Sequence, residues 1–304
     1  MSVENQSFRS HGKLLITGEY FVLDGALSLA FPTKLGQSLT IESGTKDVLI
    51  WESFDDKNER WFDLKLDSDI NILATSDKQI AKTLIRILKA AFEDKIPFGC
   101  IVKTHLDFDR SWGLGTSSTL INNIAQWANI DSYLLLEKAF GGSAYDIACA
   151  DAEGPILFQR NPNPIVKRIA FNPPFQSHIY FVYLNKKQNS KESIKRYHSM
   201  AIEDKKGVIQ SISEMTEMLS STYNIEAFMA QMSKHEDTIS RAIDLPKVKD
   251  LYFNDFDGAI KSLGGWGGDF VMAVSKKKRS FVRSYFINKG YPIVLGFDEL
   301  IHHP

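Results

Sequence analysis

Several segments of this 304-residue chain combine residue types and spacings that can do chemistry. The first is Gly113-Leu114-Gly115-Thr116-Ser117-Ser118, two glycines followed by three hydroxyl side chains at the expected mouth of a helix. Glycine lets backbone N–H groups converge, and a helix N-terminus adds a positive dipole, so an anion can rest there. The hydroxyls can reach phosphate oxygens or a divalent cation. A tight turn with hydroxyl N-caps would carry the same residues. The second is Asp146, flanked by uncharged Ala144, Tyr145, Ile147 and Ala148 after the turn Gly141-Gly142-Ser143. Such neighbours exclude water and tune a carboxylate, although an Asx-turn or N-cap aspartate has the same local pattern. The third is Lys13, between Gly12 and Leu14-Leu15-Ile16. A lysine that starts a buried strand is uncommon, and a surface strand-end lysine would look alike. A further glycine cluster, Gly264-Gly265-Trp266-Gly267-Gly268, could also approach an anion.

Familiar nucleotide motifs do not account for these segments. No lysine follows the Gly113 loop, so it is not a P-loop. The third glycine and the distant acid of a dinucleotide fingerprint are missing. Asp255-Phe256-Asp257 is not the Asp-Phe-Gly metal motif of protein kinases.

The elements that must hold these residues can be read from periodicity. Short apolar or alternating runs predict strands at 13–17, 27–31, 38–42, 48–52, 61–66 and 99–105. Spacings of three and four predict a helix over 77–93, with Ile80, Leu84, Ile87 and Leu88 on one face. A helix over 118–129 follows the Gly113 loop, and Asp131 caps another that runs to Phe140. The segment 144–152 carries Asp146 between strands and turns, and strands are expected at 155–159 and 166–170. Asn161-Pro162-Asn163-Pro164 and Pro173-Pro174 read as linker, so a domain boundary is expected near residue 175. Beyond it come a strand at 178–184, a helical stretch over 190–223 broken near Gly207, and a helix over 225–242 with Phe228, Met232, His235 and Ile239 on one face. A strand at 270–275, a helix at 279–289 and a strand at 292–295 complete the chain.

Composition sets limits on function. Length alone suggests two domains at roughly 150 residues each. Lys plus Arg number 36 and Asp plus Glu 37, a net charge of −1, which argues against a dedicated nucleic-acid binder. A small anion needs only a local site. Cys100 and Cys149 make no disulfide framework in a chain this long, the seven histidines lack metal-ligand spacing apart from the terminal pair His302-His303, which reads as a solvated tail, and no window is long and apolar enough for a membrane span. The expectation is a cytoplasmic protein, monomer or homodimer, with no membrane or nucleic-acid partner.

Taken in order, these segments resemble the GHMP kinases, the superfamily of galactokinase, homoserine kinase, mevalonate kinase and phosphomevalonate kinase. Gly12 to Gly25 is similar to the family's N-terminal strand and Gly-Glu turn, with His11 where proline is usual. Gly113 to Ser118 resembles its ATP-binding loop, Gly142 to Ala148 the segment of its catalytic aspartate, and Lys261 to Asp269 its late glycine loop, with Trp266 in place of a glycine. Gly18-Glu19-Tyr20 and Gly267-Gly268-Asp269 tilt the resemblance toward the mevalonate-pathway branch.

The resemblance implies an α/β (α+β) protein of two domains. Residues 1–175 would be a ribosomal-protein-S5-like ATP-binding domain and residues 176–304 a ferredoxin-like domain, with the active site in the cleft between them. It implies an ATP-dependent kinase for phosphomevalonate or mevalonate, with homoserine, a sugar, or a degenerate non-enzymatic ATP binder as alternatives. ATP phosphates would lie on Gly113, Leu114, Gly115, Thr116, Ser117 and Ser118. Ser117 and Glu137 would hold Mg2+. Asp146 and Lys13 would be catalytic and pair with each other. Glu19, Tyr20, Ser143, Gly264, Gly265, Trp266 and Gly267 would line the small anionic acceptor, Trp266 walling its pocket.

Overall fold

The computed structural model describes residues 5–141, 144–160 and 164–303. The chain forms two interleaved compact units. One comprises residues 1–12, 35–110 and 114–151, the other residues 13–34, 111–113 and 152–304. The expected boundary near residue 175 falls inside the second unit.

Two strands are shared by the units along the sequence: β1 (Gln6–Leu15) and β2 (Ser28–Ser43). Local pattern divides β2 into two strands around Pro32, yet it runs unbroken for 16 residues. In the first unit, β2 pairs antiparallel with a later strand, and β3 (Val48–Phe54), β4 (Arg60–Asp67) and β5 (Ile72–Thr75) extend the sheet. Helix α1 (Lys78–Phe92) follows, with Asp77 as N-cap accepting the N–H groups of Gln79 and Ile80 at 2.8 and 3.0 Å. Strand β6 (Cys100–Leu106) returns between β2 and β3, parallel to β3. Alternation along these strands sends Leu39, Ile41, Leu49, Trp51, Leu64 and Val102 into one core, as a half-buried sheet requires. Helices α2 (Thr116–Ala128) and α3 (Ser132–Ala139) pack with α1 over that core, and Asp131 caps α3 as its type predicts. The short helix α4 (Tyr145–Ala150) packs against α2.

In the second unit, β7 (Ile156–Gln159) pairs with the first residues of β2 and with β8 (Ile165–Arg168). Strand β9 (Ile179–Tyr183) is buried along its whole length. Helices α5 (Ser190–Ser199), α6 (Lys205–Ser221), α7 (Ile225–Ile243) and α8 (Val248–Tyr252) follow. Strands β10 (Ala259–Ser262) and β11 (Phe270–Val274), helix α9 (Arg279–Asn288), strand β12 (Val294–Gly296) and helix α10 (Phe297–Leu300) end the chain. The four strands stand in the order β10-β11-β9-β12, all antiparallel. With helices after the first and third strands, this is the ferredoxin-like β-α-β-β-α-β plan.

The break in the long helical stretch precedes Gly207. Asp204 caps α6 and accepts the Gly207 N–H at 3.1 Å, and a Cβ on Gly207 would meet that carboxylate at 2.1 Å. Among the described residues, no helix is long and apolar enough to cross a membrane.

Candidate active site

The Gly113 loop begins in the second unit and continues in the first. On the second-unit side, Ser111 to Gly113 rests on the ferredoxin-like sheet. The Tyr183 hydroxyl lies 3.0 Å from Ser111 Oγ, and Trp112 meets Phe270 edge-on at 5.6 Å. Gly113 has φ +68°, and a Cβ there would fall 2.4 Å from the Asp269 carboxyl group. Glycine is therefore demanded twice, by conformation and by contact. Desolvation pushes the Asp269 pKa up, while the Gln188 N–H at 3.1 Å and the charges of Lys13 and Lys187 pull it back. Gly113 and Asp269 are thus in contact, within the field of the Lys13 charge. Residue type and spacing single out Lys13 and Gly113 and miss Asp269, whose only signal is its position after Gly267-Gly268.

On the first-unit side, Gly115 is the N-cap of α2 with φ +98°, and no side chain caps the helix. The N-capping by hydroxyls that the sequence also allowed is therefore absent. Ser118 turns its hydroxyl back onto the Gly115 carbonyl at 2.9 Å, and Thr119 donates to Gln37 Oε1 at 2.7 Å. The first helical N–H bonded within α2 is that of Thr119, to Gly115 O at 3.0 Å. The amides of the first turn are the ones a helix leaves without intrahelical partners. Leu114 is buried, Thr116 half-buried and Ser117 exposed. Asp146 lies half-buried in the first turn of α4, after Ala144 at φ +70°. An alanine held in the left-handed region costs about 1 kcal/mol or more, so surrounding packing fixes this turn. The packing of α4 on α2 brings the Asp146 helix to the glycine-loop helix. Glu137 is exposed on α3, and Ser143 lies outside the described residues.

The expected acceptor residues divide. Tyr20, at φ +61°, stacks on Tyr197 with centroids 5.4 Å apart and donates its hydroxyl to Gly265 O at 2.8 Å. Beside it, Ser193, Arg196, Met200 and Leu245 line a small hollow. Glu19, expected to face the acceptor, is instead fully buried and paired with the equally buried Lys261. Desolvation pushes its carboxyl pKa up, and the Lys261 ammonium opposes that. Trp266, expected to wall the pocket, is packed into the core with Phe21, Met215 and Ile239. Its indole N–H donates to Pro246 O at 3.0 Å. A large apolar ring at a loop centre gains more from that core than from solvent. Gly265 and Gly268 lie against Gln188, which leaves no room for a Cβ, whereas Gly264 and Gly267 adopt positive φ of +61° and +76°.

No cluster of three His, Cys, Asp or Glu side chains among the described residues could hold a metal unaided. A hard cation that keeps few protein ligands and takes phosphate oxygens is compatible with the exposed Ser117 hydroxyl.

Solved structures share this architecture across nearly the whole chain. The mevalonate kinase of Methanococcus jannaschii superposes with a TM-score of 0.73 at 16% identity, covering 99% of each chain. The phosphomevalonate kinase of Streptococcus pneumoniae, in complex with phosphomevalonate and AMPPNP, gives 0.70 at 16% identity, covering 96% of this chain and 99% of that one. The galactokinase of Lactococcus lactis, complexed with galactose, gives 0.67 at 11% identity, covering 99% and 95%. No protein-family model matches the sequence, and no curated protein does either. The chain has the two-domain α/β fold of the GHMP kinases. Its structural neighbours include both mevalonate-pathway and sugar kinases, and at these identities the likeness establishes fold.

Proposed function

We propose that this protein is an ATP-dependent small-molecule kinase of the GHMP type, acting on a mevalonate-type acceptor, phosphomevalonate or mevalonate. The observation that carries the reading is the α2 N-terminus: opened by Gly115, uncapped by any side chain, and followed by Thr116, Ser117 and Ser118. Such a terminus offers converging N–H groups and a positive dipole to a nucleotide's phosphates. The kinases that share the fold support the nucleotide, and the phosphomevalonate and mevalonate kinases among them support the acceptor class. The domain division at residue 175, with ATP on the N-terminal part, belongs to the same reading.

Phosphoryl transfer needs mainly positioning and neutralisation of charge. The loop Gly113 to Ser118 would bind the phosphates. Ser117 and Glu137 would hold Mg2+, which when bound offsets charge on the transferred group. Tyr20, Ser143 and the Gly264 to Gly267 loop would position the acceptor. Asp146 would take or orient the proton of a hydroxyl acceptor, and Lys13 would stabilise anionic charge in the transition state. With a phosphate acceptor, already anionic, Lys13 would matter more than a base.

The test is ADP release with ATP and Mg2+ against mevalonate, phosphomevalonate, homoserine and galactose. Preference for one of the first two is expected. Turnover of homoserine or galactose alone would move the protein to another branch, and ATP binding without any turnover would make it a non-enzymatic homologue. Asp146→Asn and Lys13→Met should each lower kcat by at least about 100-fold, and near-normal turnover in both would refute their roles.

A further inference from the structure

Two adjacent side chains of α7, His235 and Glu236, have no part in the reading above, yet both are buried in the second unit and each grips a different loop segment. His235 Nε2 accepts the Gly18 N–H at 3.2 Å. That bond assigns the tautomer: a neutral ring accepting at Nε2 carries its proton on Nδ1. Burial, reinforced by the Lys261 charge, keeps the ring neutral. Its Nδ1 has no hydrogen-bond partner and faces Glu19 Oε2, also unpartnered, at 3.8 Å. Glu236 accepts the Ser262 N–H, 3.0 Å from each carboxylate oxygen, and the Ser262 hydroxyl at 2.8 Å. Lys261 closes the cluster, donating to Glu19 and, at 2.9 Å, to Ser262 O.

Both gripped segments lead directly to expected acceptor residues. Gly18 is two residues before Tyr20, and Ser262 ends β10 two residues before Gly264. Tyr20 in turn bonds to Gly265 O. Burying two carboxyl groups, a lysine and an imidazole is a poor route to stability, because apolar side chains of similar volume often do as well. Directional bonds to two loops are what such a cluster adds.

We propose that His235 and Glu236 are positioning residues that clamp the Gly18–Tyr20 turn to the Gly264–Gly268 loop and so set where the acceptor is held. The link to the acceptor rests on the kinase reading; the clamp does not.

Hydrogen exchange on the full chain and acceptor kinetics test the two parts separately. His235→Leu and Glu236→Ala should each speed exchange at residues 17–22 and 259–268 about tenfold or more, the size of a lost buried hydrogen bond, with α9 and β12 unchanged. For whichever of phosphomevalonate and mevalonate is turned over, the acceptor KM should rise by a similar factor, with the ATP KM unchanged and kcat within about threefold. His235→Gln and Glu236→Gln keep an acceptor in place and should restore both quantities. Unchanged exchange in the two segments, or faster exchange throughout the second unit, would overturn the clamp. So would Gln variants no better than Leu and Ala. If the Leu and Ala variants do not fold, the Gln pair decides: protection like the wild type supports the clamp, and its loss refutes it. A wild type that turns over no acceptor sinks the kinase reading, while the exchange results still decide the clamp.

Discussion

A single Cβ at residue 113 would collide with the Asp269 carboxyl group and occupy a backbone region disfavoured for alanine. Gly113→Ala should therefore cost about 1–3 kcal/mol, read as a lower denaturation midpoint. Asp269→Ala in the same chain should recover part of that loss, because the carboxyl group is what the new methyl meets, and a double-mutant cycle would measure the coupling. Strict additivity would place the strain in φ alone. Residue types and spacing single out Lys13, the Gly113 loop and Asp146. They could not reveal Glu19 with Lys261, or His235 with Gly18, because those partners stand 242 and 217 residues apart. His235, on an apolar helix face, reads as an ordinary core histidine until its neighbours are known.

At the level of elements, Glu236 on α7 gives the second unit a pH response. Desolvation, opposed by Lys261 and Ser262, raises its pKa from 4.5 to about 7. The native state then holds a proton that the unfolded state releases between these values. Its contribution to stability is full below about pH 4.5 and declines as pH rises to about 7, a loss of about 3 kcal/mol. Glu236→Gln cannot titrate, so the stability gap between wild type and variant should move in the variant's favour from about pH 5 to about pH 8 in denaturant melts. Equal gaps at both would show that Glu236 does not take up the proton. Element ends were well marked where a cap carries them: Asp131 accepts the N–H groups of Tyr133 and Leu134 at 2.7 and 3.0 Å. Asp131→Ala should accordingly cost about 1 kcal/mol in a thermal melt. Elements without such marks leave no local signal. Strand β5 is short and largely exposed, so it lacks alternation, and β10 hides its apolar character behind a buried lysine, Lys261.

Across the whole molecule, the interleaving of the units changes what can fold alone. Residues 13–34 supply Phe21 and Ala26 to a core that otherwise comes from α5, α6, α7 and Trp266. Phe31 likewise joins Phe171 and Phe297, with centroids 5.0 and 5.6 Å away. A fragment of residues 176–304 keeps its four-stranded sheet but loses these partners. It should show weak protection in α6 and α7 and a tendency to aggregate, whereas α9 and β12 stay protected; a fragment as protected as the full chain would contradict this. The ferredoxin-like topology was legible from the resemblance alone, since strand order is a non-local property that no local pattern encodes. The interleaving was not legible, because the Pro-rich stretches mark turns and say nothing about which distant segments share a core.

If the last glycine loop holds the acceptor, as the proposed kinase function has it, the burial of Trp266 has a thermodynamic consequence for binding there. With its central indole in the core and hydrogen-bonded to Pro246, the loop is anchored at its midpoint without help from a ligand. Association then need not include the ordering entropy that a floppy glycine loop would add, roughly 0.5–1.5 kcal/mol for each mobile side chain. Binding at this loop should resemble a key entering a cut lock, with a rate set by encounter and a shape tolerance as narrow as the loop is stiff.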